Sequence, residues 1–234
     1  ERIQNVVSEY KIERESKILP TGIPNHVAEV KKGQKQLFHN QLYKGFPIKK
    51  KKHILLYVGR VVKEKNLDFL FPVLENAKKV YPDTILLIVG GGPELEPLQK
   101  RAAELKLSKN VCFTGYQNRD DLAYFYKLAD VFVFPSVTET QGLVTIEAMM
   151  TGLPVVAIGE MGTVDVMQGN NGGFMVKNDV TEFSEKVIEL LSNKELHKQK
   201  CEEALAWSKK WSLPDLTNTL VEYYEEAIEI RKNR

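Results

Sequence analysis

Five short runs of the chain are rich in apolar, β-forming residues: HILLYV at 53–58, TILLIV at 84–89, NVCFTG at 110–115, DVFVFP at 130–135 and PVVAI at 154–158. None shows a regular alternation of apolar and polar positions. Each is therefore expected to be buried on both faces, as strands of a parallel sheet are. Between them the period changes. Leu67, Leu70, Leu74 and Ala77 recur at spacings of three and four, as do Leu95, Leu98, Ala102 and Leu105, so each set lies on one face of a helix. Tyr81-Pro82-Asp83 stops the first of these helices before the second strand. Strand then helix, five times over, predicts an α/β fold: a doubly wound parallel sheet of the Rossmann type.

The two ends follow other patterns. Residues 1–20 hold a short helix-like stretch and then KILP, which reads as one strand. Residues 24–52 are polar and irregular and end in Lys49 to Lys52, read as a solvated loop. After residue 179 only helices are predicted, at 181–192, 194–210 and 213–232. The last carries Leu216, Leu220, Tyr223, Tyr224 and Ala227 on one face and has no strand of its own to cover, so it is expected to dock elsewhere. Trp207 and Trp211, four apart, read as packing residues.

Composition narrows the classes. A chain of 234 residues with 43% hydrophobic content can bury one large domain or one and a half. The 33 Lys and Arg balance 31 Asp and Glu, which gives no case for a nucleic-acid partner. Cys112 lies in an apolar run and Cys201 among charges, so no disulfide is expected and a reducing, cytoplasmic setting is. No apolar run approaches the ~18 residues of a membrane span, no secretory leader is visible, and the absence of an initiator Met reads as a fragment. His26, His39, His53 and His197 are scattered and form no metal set, and no D-x-D occurs. No metal and no cofactor are called for.

In open α/β sheets, ligands bind at the carboxyl ends of the strands. The residues just after each strand are therefore the candidates. Gly59-Arg60 and then Lys65 follow the first. Gly90-Gly91-Gly92 follows the second, without the G-x-G-x-x-G spacing, because Leu95 stands where the third glycine belongs. Gly115-Tyr116 follows the third. Pro135 to Gly142 follows the fourth and leads into a helix. The first amides of that helix, from Gly142, Leu143 and Val144, are expected to be free to donate outward to an anion, with phosphate the usual guest. Arg60 and Lys65 would neutralise it. Glu139 and Glu147 flank this helix start, eight positions apart. As anions they cannot hold phosphate; they need hydroxyl donors. An anion in the middle with hydroxyls at both ends describes a nucleoside diphosphate sugar.

GRVVKEKNLDFL, VGGGPELEPLQKRA, VCFTGYQNRDDLAYFYKLADVFVFPS and ETQGLVTIEAMMTGLPVVA resemble the donor-binding domain of the family 4 retaining glycosyltransferases, which have the two-lobed GT-B fold. The likeness covers most of residues 53–180 and includes the family's E-x7-E element, here Glu139 to Glu147. KILPTGIP resembles the segment that joins the two lobes. The resemblance implies that Gly59, Arg60 and Lys65 hold the donor diphosphate, and that Glu139 holds the sugar hydroxyls. It assigns the phosphate and sugar to the amides of Gly142, Leu143 and Val144, the ribose to Glu147, and the base to the backbone around Tyr116 and Gln117. Arg60, Lys65 and Glu139 would be the catalytic set. Residues 1–21 would be a remnant of the N-terminal lobe and linker, 22–211 the nucleotide-sugar domain, and 212–234 a helix that packs back on the other lobe, which would hold the acceptor. LPTGIP and NNGGFMV most resemble bacterial 1,2-diacylglycerol 3-glucosyltransferases. That implies transfer of glucose from UDP-glucose with retention, and peripheral contact with the inner face of the plasma membrane. The alternatives are a starch or glycogen synthase-like transferase with an adenine donor, a non-catalytic nucleotide-sugar module, and a dinucleotide dehydrogenase, which the glycine spacing opposes.

Overall fold

A computed structural model describes residues 9–10, 16–30 and 53–232. Lys49 to Lys52, His39 and most of the helix-like N-terminal stretch lie outside them. Six strands form one all-parallel sheet: β1 Ile54–Val58, β2 Ile85–Val89, β3 Val111–Gly115, β4 Val131–Phe134, β5 Val155–Ile158 and β6 Gly173–Val176. The five predicted runs all appear. β1, β2, β4 and β5 are buried along their whole length, as unbroken apolar runs require. The sixth strand was not predicted. Its sequence, GFMV, opens on glycine and pairs only with β5, at the sheet edge.

The helices are α1 Leu70–Val80, α2 Leu95–Glu104, α3 Leu122–Leu128, α4 Leu143–Met150, α5 Gly162–Met167, α6 Val180–Ser192, α7 Lys194–Ser208 and α8 Leu213–Lys232. α1 packs on α6 on one face of the sheet, and α4 on α7 on the other. The predicted stripes point inward: Leu67, Leu70, Leu74, Ala77, Leu98 and Ala102 are buried. Trp207 and Trp211 stack edge to face, and the Trp207 indole donates to the Val166 carbonyl at 2.8 Å.

The chain ends need correction. KILP forms no strand: among the described residues it joins no ladder, and in this segment Ile23 makes an isolated parallel bridge, to Ser212. Lys17 instead pairs with Glu226 and lies over the Tyr223 ring of α8. Of the apolar residues along α8, Leu216 is buried, while Leu220, Val221, Tyr224 and Ile228 are exposed.

The strand order is β3-β2-β1-β4-β5-β6. Chain progress runs outward from β1 to β3, then returns to the other side of β1 for β4. The loops leaving β1 and β4 therefore diverge to opposite faces and leave a crevice at their carboxyl ends, the place where such sheets take ligands.

Candidate functional site

The glycine loop after β2 packs against the loop after β1. A Cβ on Gly90 would come within 1.8 Å of the Gly59 carbonyl oxygen. The close approach permits Gly59 N to donate to Val89 and Val61 N to Gly91, at 3.0 and 2.9 Å. The glycines thus fix the course of the β1 loop that carries Arg60 and Lys65.

The two walls of the crevice are tied across it. Lys65 Nζ donates to Glu139 Oε2 at 2.8 Å and to Ser136 Oγ at 3.3 Å. Asn66 donates to the Pro135 carbonyl, and Thr138 Oγ1 to that of Glu64. Asn66 takes a left-handed backbone (φ 56°) that turns the chain straight from the Lys63–Lys65 turn toward α1. The loop after β5 joins as well, with Gly162 N donating to the Glu139 carbonyl at 2.8 Å.

Glu139 has a second set of contacts. Its Oε1 accepts from the Gly142 amide at 3.0 Å and the Gln141 amide at 3.3 Å. Burial opposes its charge, yet the Lys65 hydrogen bond and the Gly142 amide outweigh that and hold the carboxyl below the ordinary glutamate value. The expectation of three free amides at the start of α4 is therefore corrected at one position: Gly142 is engaged by Glu139. For Leu143 and Val144 N–H no acceptor exists among the described residues. Like α1, α2, α3 and α5, α4 has no side-chain cap at its N-cap position. α6 and α7 are capped by the side chains of Asp179 and Asn193, at 2.8 and 3.0 Å, whereas α4 has glycine at that position. Gly142 is in the left-handed region (φ 66°), and a Cβ there would meet the Val166 side chain at 2.7 Å.

Glu147 lies one turn further along α4 and is buried. Its Oε1 accepts from Arg119 at 3.1 Å and its Oε2 from the Tyr126 hydroxyl at 3.0 Å. Burial raises its carboxyl above the ordinary glutamate value, with Tyr126 and Arg119 pulling against that rise. Arg119 belongs to the loop after β3 that also holds Tyr116 and Gln117, so this pair seats that loop beside α4. Tyr116 is largely open to solvent, at 85% exposure, and Gln117 donates to the Thr114 carbonyl. Arg60 is 71% exposed and pairs with Glu64 at 3.1 Å, one turn along its own loop.

Lys65, Glu139 and the start of α4 are thus in direct contact. Glu147 and the β3 loop form a second cluster on the same helix, and Arg60 stands at the rim. Reading the strand ends missed Ser136, Arg119 and Tyr126. Arg119 carried a usable signal: it is the first basic residue after the third strand, in the loop already read for Tyr116 and Gln117.

Residues 38–207 match the family model described as Glycosyl transferases group 1. The chain is 32% identical over 160 residues to the alpha-monoglucosyldiacylglycerol synthase of Streptococcus pneumoniae, covering 68% of this chain and 36% of that protein. It is 34% identical over 148 residues to the GDP-mannose-dependent alpha-(1-6)-phosphatidylinositol monomannoside mannosyltransferase of Mycolicibacterium smegmatis, covering 60% of this chain and 39% of that protein. It thus spans less than half the length of these relatives. Among solved structures, Anabaena HepE in complex with UDP and glucose is similar in fold, with a TM-score of 0.75 at 16% identity over 89% of this chain and 56% of that one.

Proposed function

The chain belongs to the glycosyl transferase group 1 family and has the fold of one lobe of a GT-B glycosyltransferase, and on that premise we propose that it holds the donor of a retaining hexosyltransferase. The donor is a nucleoside diphosphate sugar, UDP-glucose first, and the acceptor is the hydroxyl of a diacylglycerol in membrane glycolipid synthesis. The observation that carries this reading is the convergence of Lys65, Glu139 and the uncapped start of α4 at the switch point of the sheet.

In this reading the diphosphate lies against Lys65 and the amides of Leu143 and Val144. Negative charge that grows on the leaving diphosphate meets donors already in place. Arg60 adds its guanidinium by turning from Glu64. Glu139 accepts from sugar hydroxyls. Glu147, oriented by Tyr126 and Arg119, accepts from the ribose, and the backbone at Tyr116 and Gln117 borders the base. Catalysis is positioning and charge stabilisation, with no protein nucleophile. The fit to a lipid acceptor draws support from the two relatives, one named for making a glycosylated diacylglycerol and the other for mannosylating a phosphatidylinositol mannoside. Among the described residues no helix is long and apolar enough to cross a membrane; the membrane contact in this reading is peripheral, on the cytoplasmic face.

A thermal-unfolding panel with UDP, GDP, ADP and NAD tests the donor class. A ligand at a hundred times its Kd adds about 2.7 kcal/mol, which raises the midpoint of a chain this size by roughly 5–10 °C. UDP should give the largest rise. A rise with ADP alone favours the starch synthase-like alternative. A rise with NAD alone, or with none of the four, overturns the reading.

The assignment of Glu147 has a pH signature. Its carboxyl accepts hydroxyls most strongly when ionised, and burial raises its pKa above the ordinary 4.5. Uridine, which carries no titrating phosphate, should lose affinity on acidification while the pH is still above 4.5, and Glu147→Gln should bind weakly at every pH with that dependence gone. Stability should move the other way. The folded state favours the protonated form, so the contribution is complete below the ordinary carboxylate value and fades as pH rises past the raised one. Calorimetric titration of uridine between pH 4.5 and 8 measures the first effect; an unchanged pH dependence in Glu147→Gln refutes the role.

A further inference from the structure

Lys65 and the Gly142 amide are two donors at the start of α4, beside the Leu143 and Val144 amides, and one side chain holds both. Glu139 places Oε2 on the Lys65 ammonium at 2.8 Å and Oε1 on the Gly142 amide at 3.0 Å, with the Gln141 amide behind it at 3.3 Å. An ammonium, a helix-start amide and a second backbone N–H are the contacts of an oxyanion at a helix N-terminus. The pair is well sheltered, with Lys65 and Glu139 side chains 12% and 14% exposed, so its electrostatics are not those of a solvated surface pair.

We propose that Glu139 is a tethered rival of the diphosphate: carboxylate and phosphate compete for Lys65 and the Gly142 amide, and the donor binds by displacing one with the other. The proposal rests on the donor-site reading above. It gives the residue a second role, which is to separate nucleotide sugar from bare nucleotide. When a nucleotide sugar displaces the carboxylate, the sugar hydroxyls supply it with new donors close by. A bare diphosphate supplies none, and the displaced carboxylate is left beside phosphate with its partners lost. Glu139 therefore lowers affinity for the diphosphate product while supporting affinity for the donor. A single charge does both, because its alternative partners exist only when the sugar is attached. A purely structural helix cap would act differently: its loss would weaken the fold and leave both ligands bound alike.

The test is isothermal calorimetry on the 234-residue chain and on Glu139→Gln, with UDP, UDP-glucose and inorganic pyrophosphate, and with GDP and GDP-mannose as a second pair. The amide of glutamine keeps the size but drops the charge that competes for Lys65. UDP and pyrophosphate should bind Glu139→Gln about tenfold more tightly than wild type, on the scale of one charge-assisted hydrogen bond. UDP-glucose should bind about tenfold more weakly. Unchanged or weaker UDP binding in the variant, with the wild type binding normally, overturns the rivalry and leaves the donor-site reading standing. If the wild type binds neither nucleotide pair, the donor-site reading fails and the rivalry with it. Should the variant not fold, a crystal structure of the wild-type chain with UDP decides the matter. A phosphate oxygen on Lys65 and Gly142 with Glu139 swung away supports the proposal, and Glu139 still holding both groups overturns it.

Discussion

Lys65→Ala should cost the protein about a hundredfold in affinity for UDP and leave uridine within about twofold. The contrast follows from where the ammonium sits. Its Nζ lies 2.8 Å from Glu139 and 3.3 Å from Ser136, above the Phe134 ring, in a crevice that keeps the side chain mostly out of water. A hydrogen bond to a charged group is worth about 1.5–3 kcal/mol, and electrostatic screening is weaker here than at an open surface. Removing the ammonium also leaves Glu139 unneutralised beside the incoming phosphate. Both effects bear on the anion and neither on the nucleoside, whose ribose is assigned to Glu147 on the far side of the helix start. Arg60→Ala should weaken UDP less, because that guanidinium is largely exposed and already bound to Glu64. Calorimetry with uridine and UDP on the three proteins measures this directly. Equal losses for uridine and UDP in Lys65→Ala would mean that the lysine supports the site's shape and not its charge. The fold gives an internal control. Glu139 is held below its usual pKa in part by Lys65, so the wild-type pair contributes stability above the ordinary carboxylate value that is lost as pH falls through the depressed one. Lys65→Ala should flatten that acid limb of the stability curve.

The sheet was legible because its strands are buried on both faces. ILLYV, ILLIV, VFVF and VVAI carry no polar residue that could suggest another period. β6 escaped because GFMV opens on a glycine, a residue depleted in strands, where a Cβ would come within 1.9 Å of the Val155 carbonyl oxygen. KILP misled because strand-like composition is only a context-dependent guide, and here Lys17 meets α8 and no ladder forms among the described residues. The site divided along similar lines. Lys65 and Glu139 could be chosen because each follows a strand, and chain order alone places strand ends near one another in such folds. Tyr126 could not, since in LAYFYKL it reads as one more apolar residue of a buried helix face. Its hydroxyl matters only because α4 brings Glu147 to 3.0 Å from it. Gly142 was read as an open amide because a sequence gives the cap position but not which side chain folds back onto it.

The 234-residue chain, purified alone, should bind the nucleotide sugar and transfer no sugar to diacylglycerol. Binding and transfer separate because they need different parts. The groups proposed to hold the donor lie on the described sheet's loops and on α4: Lys65 after β1, Tyr116 and Gln117 after β3, Glu139 and the start of α4 after β4, and Glu147 within α4. Transfer needs something more, an acceptor oxygen held about 3–3.5 Å from the anomeric carbon, and that alignment is worth effective concentrations of roughly 10⁵–10⁸ M. The described residues supply one sheet and one wall of a site, while the relatives matched are more than twice as long as the chain's share of them. α8 points the same way. Leu220, Val221, Tyr224 and Ile228 stay exposed along a helix whose first turn alone, at Leu216, is buried. Without a second surface to hold the acceptor, lipid in solution or in a vesicle would meet the bound donor only by chance, and the rate should fall by at least about five orders of magnitude from that of an aligned pair. Radiolabelled UDP-glucose incubated with the chain and diacylglycerol vesicles should therefore yield no labelled lipid, while calorimetry on the same sample detects donor binding. Labelled lipid above the protein-free control would mean that residues 1–234 hold the acceptor themselves, and the two-lobe reading would fall.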